Sequence, residues 1–147
     1  GCPTVYYGDE TGVCGWTDPD SRRTYPWGEK NWKLIEYHRY LFEMRRQNPG
    51  LKLGSVKELG ACQGMISYGR FWKSSCLVIV LNQGAERWHG RIPVWELGIG
   101  DGAEMERIMF TGMSGYNAGK ISILCTGGYM ELDMPPCSGG VFRLKEN

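Results

Sequence analysis

From Gly50 onward the sequence consists of short apolar runs broken by glycine, proline and asparagine. Each run has the length of a β-strand, and β-branched and aromatic residues are frequent in it. Many short strands in succession, with no helical period between them, favour an antiparallel sandwich or barrel. The Gly127-Gly128 pair between two runs predicts a tight hairpin. The eight predicted strands are 55–59, 65–71, 76–82, 88–94, 104–111, 121–125, 129–133 and 141–144.

Residues 29–47 follow a different period and predict one amphipathic helix. Asn31 is a candidate N-cap, and Asn48-Pro49-Gly50 is expected to stop the helix. We expect His38 to be a buried or half-buried histidine without a metal-binding or catalytic role, because no partner stands at helical spacing. The residues of the apolar stripe recur three or four positions apart: Leu34, Ile35, His38, Leu41, Phe42 and Arg45.

The first 28 residues are rich in glycine, proline, aspartate and aromatic residues. Residues 3–7 predict a short buried strand, and residues 8–28 predict one long irregular loop. Loops of that length inside compact domains are usually functional. A strand followed by a helix is half of a parallel βαβ crossover, and one parallel strand cannot form a sheet alone. We therefore expect residues 1–48 to belong to a larger α/β body.

Charge and cysteine usage exclude several function classes. Seventeen Lys and Arg residues against 16 Asp and Glu give a net charge of +1, so nothing indicates a nucleic-acid or membrane partner. No apolar run approaches the ~20 residues that cross a bilayer. The six cysteines include no C-x-x-C pair, which argues against structural zinc. We expect buried free thiols, a cytoplasmic setting, and neither a cofactor nor a calcium site.

Two motifs in the first 28 residues carry a family resemblance. Residues 1–10, GCPTVYYGDE, resemble the G-x-P-x-x-Y-Y-G-x-E segment of glycoside hydrolase family 13, the α-amylase family. Residues 18–27, DPDSRRTYPW, resemble the D-P-x-x-R-x-x-x-P-W loop of its neopullulanases, cyclomaltodextrinases and maltogenic amylases. Thr17 and Ser21 depart from the pattern, because many members have Asn at both positions.

The resemblance implies a fold and an activity. Residues 1–48 would be the last strand, loop and helix of a (β/α)₈ barrel, and residues 49–147 the C-terminal antiparallel β-sandwich, of Greek-key type. The fold class is therefore mainly β. The family performs retaining hydrolysis of α-glucosidic bonds with carboxylates from earlier strands, which would lie upstream of residue 1. We expect no catalytic residue in this chain and no activity from it alone. Asp9 and Asp20 are expected to be solvated or turn-capping, and Glu10 to tie the loop down by hydrogen bonds.

The resemblance also implies a substrate-binding role for Asp18 and Arg22. In relatives the Asp and the Arg of this motif contact sugar hydroxyls, which a carboxylate can accept from and a guanidinium can donate to. The alternative is that the two side chains only pair with each other across a turn, and we expect that pairing in the chain alone. The expected partner is an α-glucan or maltooligosaccharide, and exposed barrel-derived elements allow a homo-oligomer.

The tryptophans leave a second function open. Exposed tryptophan can stack on sugar faces, so the β-sandwich could be a carbohydrate-binding module. Most tryptophan in a β domain is core or interface, which favours instead a purely structural sandwich. The six residues are Trp16, Trp27, Trp32, Trp72, Trp88 and Trp95.

Overall fold

A computed structural model describes residues 2–145 of the chain. The chain divides into two compact units, residues 1–47 and residues 48–147. The first unit is a long loop followed by one helix, and the second is built almost entirely of antiparallel strands. Among the described residues, no helix is long and apolar enough to cross a membrane.

Helix α1 of the first unit spans Trp32–Gln47. The side-chain oxygen of Asn31 accepts a hydrogen bond from the Leu34 N–H at 3.1 Å, so the predicted N-cap is confirmed. His38 is half-buried as predicted, and its Nδ1 lies 2.9 Å from the Leu34 carbonyl oxygen. A carbonyl only accepts hydrogen bonds, so Nδ1 carries the proton there.

The prediction of a short buried strand at residues 3–7 is wrong. These residues form no strand in the described part of the chain, and Val5 and Tyr6 are 39% and 59% exposed. A strand is held by hydrogen bonds to a neighbouring strand and by burial of at least one face. Residues 2–47 contain no strand that could supply these hydrogen bonds or cover a face.

The second unit begins with a short helix, α2, spanning Pro49–Leu53. The sequence interpretation expected only a stop here. Helix α1 does end at Gln47, but Pro49 then occupies the first helical position, where a missing N–H costs nothing. The strands that follow are β1 Ser55–Cys62, β2 Met65–Trp72, β3 Ser75–Asn82, β4 Trp88–Ile92, β5 Glu104–Gly112, β6 Gly115–Asn117, β7 Ile121–Leu124, β8 Met130–Met134 and β9 Ser138–Leu144.

The strands form two antiparallel sheets. The larger has the order β1-β2-β3-β9-β5-β6, with β7 also paired to β5, and the smaller consists of β4 and β8. The chain leaves the large sheet after β3 and again after β7, and it returns each time, finally placing β9 between β3 and β5. The mainly β sandwich is therefore confirmed, and each of the eight predicted runs forms a strand. The short strand β6 was not predicted.

The core of the second unit lies between the inner faces of the two sheets. Val78 and Val80 on β3 and Phe142 on β9 are at most 1% exposed, and they pack with Met130 and Met134 from β8. Alternate residues of a strand point to one face, so the run 76–82 supplies the core with every second side chain. Burial of this apolar surface is the main stabilising term of the sandwich.

The cysteines divide between core and surface. All six are free; Cys76 and Cys125 are buried, as predicted, and burial raises the pKa of the Cys76 thiol to about 11. The expectation of burial is wrong for the other four, which are exposed: Cys2, Cys14, Cys62 and Cys137. These four lie in loops or at a strand end.

The hairpin predicted at Gly127-Gly128 is wrong in part: the pair forms a tight turn, but the strands that flank it, β7 and β8, lie in different sheets and do not pair with each other. Both glycines have positive φ, 60° and 82°, which residues with a Cβ rarely adopt. Thr126 and Tyr129 exchange backbone hydrogen bonds of 2.9 and 3.1 Å across the turn. The Asp101 carboxylate also accepts from the Gly127 N–H at 2.6 Å. The turn carries the chain from β7 in the large sheet to β8 in the small sheet.

Asn82 links the end of β3 to the connection after β8. Its side-chain nitrogen lies within 3.1 Å of the carbonyl oxygens of Glu86, Met134 and Pro135, and its oxygen accepts from the Gly84 N–H. The residue is only 3% exposed. Since buried polar groups are costly when unpaired, this amide is a specific requirement of the fold.

Asn82→Asp tests that requirement. The acceptor oxygen is kept, but a carboxylate oxygen replaces the donor and faces three carbonyls. We expect the free energy of unfolding to fall by about 2–4 kcal/mol in chemical denaturation. Asn117→Asp is the matched control, because exposed Asn117 also accepts a backbone hydrogen bond, from Gly119. A change there is expected to stay within about 0.5 kcal/mol; equal losses would show that Asn82 is not special.

Candidate functional site

The loop of the first unit begins with a turn that requires glycine. Gly8 has φ of 94°, and a Cβ there would lie 3.0 Å from the Val13 Cβ. The Gly8 carbonyl accepts hydrogen bonds from the backbone N–H groups of Thr11 and Val13, both at 3.0 Å. The Thr11 hydroxyl donates to the same carbonyl at 3.0 Å. Asp9–Thr11 thus forms one 3₁₀ turn that reverses the chain at the start of the loop.

Glu10 ties the two ends of the loop together, as the sequence predicted. It accepts hydrogen bonds from the Gly8 N–H at 3.1 Å and from the Tyr25 hydroxyl. Its own backbone N–H and the Tyr25 hydroxyl hold its pKa below the ordinary range, although desolvation acts the other way. A second tie is the Tyr7 hydroxyl, which donates to the Arg23 carbonyl at 3.0 Å. Glu10 is therefore a structural anion.

Asp18 and Arg22 form a two-point ion pair. Arg22 Nε lies 3.2 Å from Asp18 Oδ1, and Nη2 lies 2.9 Å from Oδ2. The Ser21 hydroxyl also donates to Oδ1, and this bond, with that of Arg22, holds the Asp18 pKa below its ordinary range. Both side chains are exposed, Arg22 at 73% and Asp18 at 60%. The pairing expected for the chain alone is what the structure shows.

A pocket of about 220 Å³ opens on the same loop, but Asp18 and Arg22 do not line it. Its charged wall is a second ion pair, in which Arg23 Nε lies 2.8 Å from Asp20 Oδ1. Tyr6 and Tyr7, with ring centroids 4.7 Å apart, supply its aromatic wall. Sequence reasoning assigned no role to Arg23; its spacing of three from Asp20 was the available signal.

Aromatic rings gather around Lys30 at the end of the loop. The Lys30 ammonium lies 5.0 Å from the Trp27 ring centroid, 5.3 Å from that of Trp32 and 5.8 Å from that of Tyr25. The Tyr25 and Trp27 centroids are 4.8 Å apart. A cation within about 6 Å of a ring face is attracted by the ring quadrupole. The sequence named both tryptophans but did not predict this cluster.

The second unit contains a larger pocket, of about 550 Å³. No charged side chain lines it; its wall includes Ile66, Leu81 and Thr111. Trp95 and Trp72 are 55% and 42% exposed, and Trp88 packs against the core. No specific geometry therefore favours a carbohydrate-binding module in the sandwich.

Within residues 2–145, no group of three or more His, Cys, Asp or Glu could hold a metal ion.

Curated proteins similar to this chain include an amylopullulanase, a cyclomaltodextrinase and a neopullulanase. An amylopullulanase of Thermoanaerobacter thermohydrosulfuricus is 34% identical over 95 residues, 57% of this chain and 6% of that protein. A cyclomaltodextrinase of Thermoanaerobacter pseudethanolicus is 36% identical, over 59% of this chain and 16% of that protein. Neopullulanase 2 of Thermoactinomyces vulgaris is 35% identical, with the same two coverages of 59% and 16%. The chain thus spans a small part of these relatives, and no family model matches it.

Solved structures share the fold over nearly the whole chain. The α-amylase of Geobacillus thermoleovorans aligns with a TM-score of 0.81 at 21% identity, over 97% of this chain and 29% of that one. The debranching enzyme of Nostoc punctiforme aligns with a TM-score of 0.72 at 27% identity, over 97% and 28%. The resemblance to the neopullulanase, cyclomaltodextrinase and maltogenic amylase group of the α-amylase family is confirmed.

The Asp18 carboxyl provides a test of the ion pair. Its pKa is lowered, so the pair is intact above the ordinary Asp range of about 3.9 and is lost as the pH falls through the lower, folded value. We expect Ser21→Ala and Arg22→Ala each to raise this pKa toward the ordinary value in an NMR titration of the carboxyl carbon. Arg46→Ala, which breaks the Glu43 pair on α1, should leave it unchanged. Unchanged titration in the first two variants would contradict the pairing.

Proposed function

We propose that this chain is the C-terminal segment of an enzyme that hydrolyses α-1,4- or α-1,6-glucosidic bonds with retention. Residues 1–48 supply part of its sugar-binding site, as the end of the catalytic barrel, and residues 49–147 form its structural β domain. The observation that carries the proposal is the set of relatives named amylopullulanase, cyclomaltodextrinase and neopullulanase, similar over 57–59% of the chain.

The carboxylates of the loop support the view that the chain is inactive alone. Retaining hydrolysis needs a nucleophilic carboxylate and a carboxylic acid about 5 Å apart, and the acid needs a raised pKa. Glu10 and Asp18 have lowered pKa values, whereas the acid of this mechanism needs a raised one. Asp9 accepts from the Tyr6 N–H at 3.0 Å, and Asp20 is paired with Arg23. Each carboxylate thus has a structural partner.

Asp18 and Arg22 suit a contact with sugar hydroxyls. The ion pair uses two of the five guanidinium N–H donors, so the remaining ones can reach a ligand. Asp18 in turn can accept from a hydroxyl. The pair is exposed, and exposed ion pairs contribute little stability, so a ligand can reorganise it at small cost. These properties support the role, in the intact enzyme, that the motif implies.

Arg22→Ala in the enzyme that contains this chain tests the role. Loss of a charged hydrogen-bond donor to substrate is expected to lower kcat/KM for maltotriose by about ten- to a hundredfold. Arg46→Ala is the matched control, because Arg46 is also 73% exposed and forms a two-point pair with a glutamate, but on helix α1. Unchanged kinetics in Arg22→Ala, or equal losses in both variants, would remove the role.

The purified 147-residue chain tests the absence of catalysis. We expect no hydrolysis of maltotriose or of a nitrophenyl maltoside, because the two carboxyl groups of the retaining mechanism are missing. Product release would be followed by chromatography and by nitrophenol absorbance. Turnover that co-purifies with the folded chain and is lost on denaturation would contradict this part of the proposal.

A further inference from the structure

We infer that Trp27, together with Tyr25 and Lys30, forms a surface on which a glucose unit of an α-glucan stacks. This cluster is called the Trp27 platform below. The inference rests on the proposed function for the identity of the sugar. It differs from that proposal in the residues it uses and in needing no catalysis, because binding to this chain alone is measurable.

The tryptophans of the chain differ in exposure. Trp16 and Trp27 are 87% and 77% exposed, both in the loop that carries Asp18 and Arg22. The tryptophans of the β domain are less exposed, at 55% for Trp95 and 42% for Trp72. Large exposed aromatic side chains are costly to leave in water and commonly mark binding surfaces. The two most exposed indoles among the described residues therefore lie in the loop.

Neighbouring side chains hold the Trp27 ring in place. Tyr25 packs against it, and the Lys30 ammonium lies over it at 5.0 Å. The Tyr25 hydroxyl is itself tied to Glu10, which anchors the start of the loop. A ring that is held by such contacts and is still 77% exposed is preorganised, so less conformational entropy is lost when a ligand binds. Trp16 has no ring or cation contact among the described residues and serves as the comparison.

Lys30 keeps its hydrogen-bond donors available. Among residues 2–145 no carboxylate lies within ion-pair distance of its ammonium; three aromatic rings hold it instead. Attraction to ring faces does not use up the N–H donors of an ammonium group. The Trp27 platform thus presents an apolar ring face beside hydrogen-bond donors at a fixed position.

That combination matches the chemistry of a pyranose ring. A glucose unit has apolar C–H faces, which pack on an indole, and equatorial hydroxyls at its edge, which accept from an ammonium. A neutral sugar carries no charge that would attract the ammonium group. The ring contact therefore supplies most of the affinity, and the lysine supplies orientation. We therefore assign the Trp27 contact the larger share and the Lys30 contact the smaller.

The test uses the complete chain and maltoheptaose as the probe. In ¹H–¹⁵N spectra of the wild type, we expect the indole Nε1–H signal of Trp27 to shift saturably on titration, while that of Trp16 shifts less. Trp27→Phe identifies the signal and, because it keeps a ring, is expected to retain part of the binding. Because the titration uses the wild-type chain, it does not depend on whether the alanine variants fold.

Matched variants then apportion the affinity. Trp27→Ala is expected to weaken binding about tenfold and Lys30→Met about two- to threefold, whereas Trp16→Ala should stay within about twofold. Thermal unfolding of each variant checks that the chain remains folded.

Two outcomes would overturn the inference. One is the absence of a saturable shift of the Trp27 signal up to about 10 mM maltoheptaose, a concentration on the order of weak single-sugar affinities. The other is an equal loss of affinity in Trp16→Ala and Trp27→Ala. Neither outcome touches the proposed function, which is decided by kinetics in the intact enzyme. Conversely, unchanged kinetics in Arg22→Ala would leave direct binding at the Trp27 platform standing.

Discussion

A β-strand exists only where its backbone N–H and C=O groups find a neighbouring strand, and this constraint decides the form of both units. In the second unit every strand has a partner, and β9 closes the large sheet by entering between β3 and β5. In residues 3–7 the same requirement is not met, and no strand forms. The first unit instead holds its loop through side chains, chiefly Glu10 and the two arginine–aspartate pairs.

This difference has a functional consequence. The sandwich is stabilised by a continuous core, with Val78, Val80 and Phe142 at most 1% exposed, and nothing in its larger pocket carries a charge. The loop has almost no core of its own but carries two exposed ion pairs and an aromatic cluster around one lysine. Binding residues commonly lie on loops, and the candidate residues Asp18 and Arg22 lie on the loop of the first unit.

Much of the fold was predictable because its signals are local. Alternation and run length located all eight predicted strands, and a three- and four-residue period located α1 with its cap at Asn31. Strand β6 was missed because Gly115–Asn117 is short and has no apolar alternation. Helix α2 was missed because Pro49-Gly50 indicates a stop, although proline is also favoured at a first helical position. Burial of cysteines depends on tertiary neighbours, which a single sequence does not give.

The site was predictable only as far as its motif reached. The family resemblance named Asp18 and Arg22, whereas the approach of Lys30 to three rings depends on loop geometry. A crystal structure of the enzyme containing this chain, with a bound maltooligosaccharide, tests the central claim most directly. The account predicts sugar hydroxyls within hydrogen-bond distance of the Asp18 carboxylate and the Arg22 guanidinium. A sugar bound elsewhere, with the two side chains still paired only to each other, would contradict it.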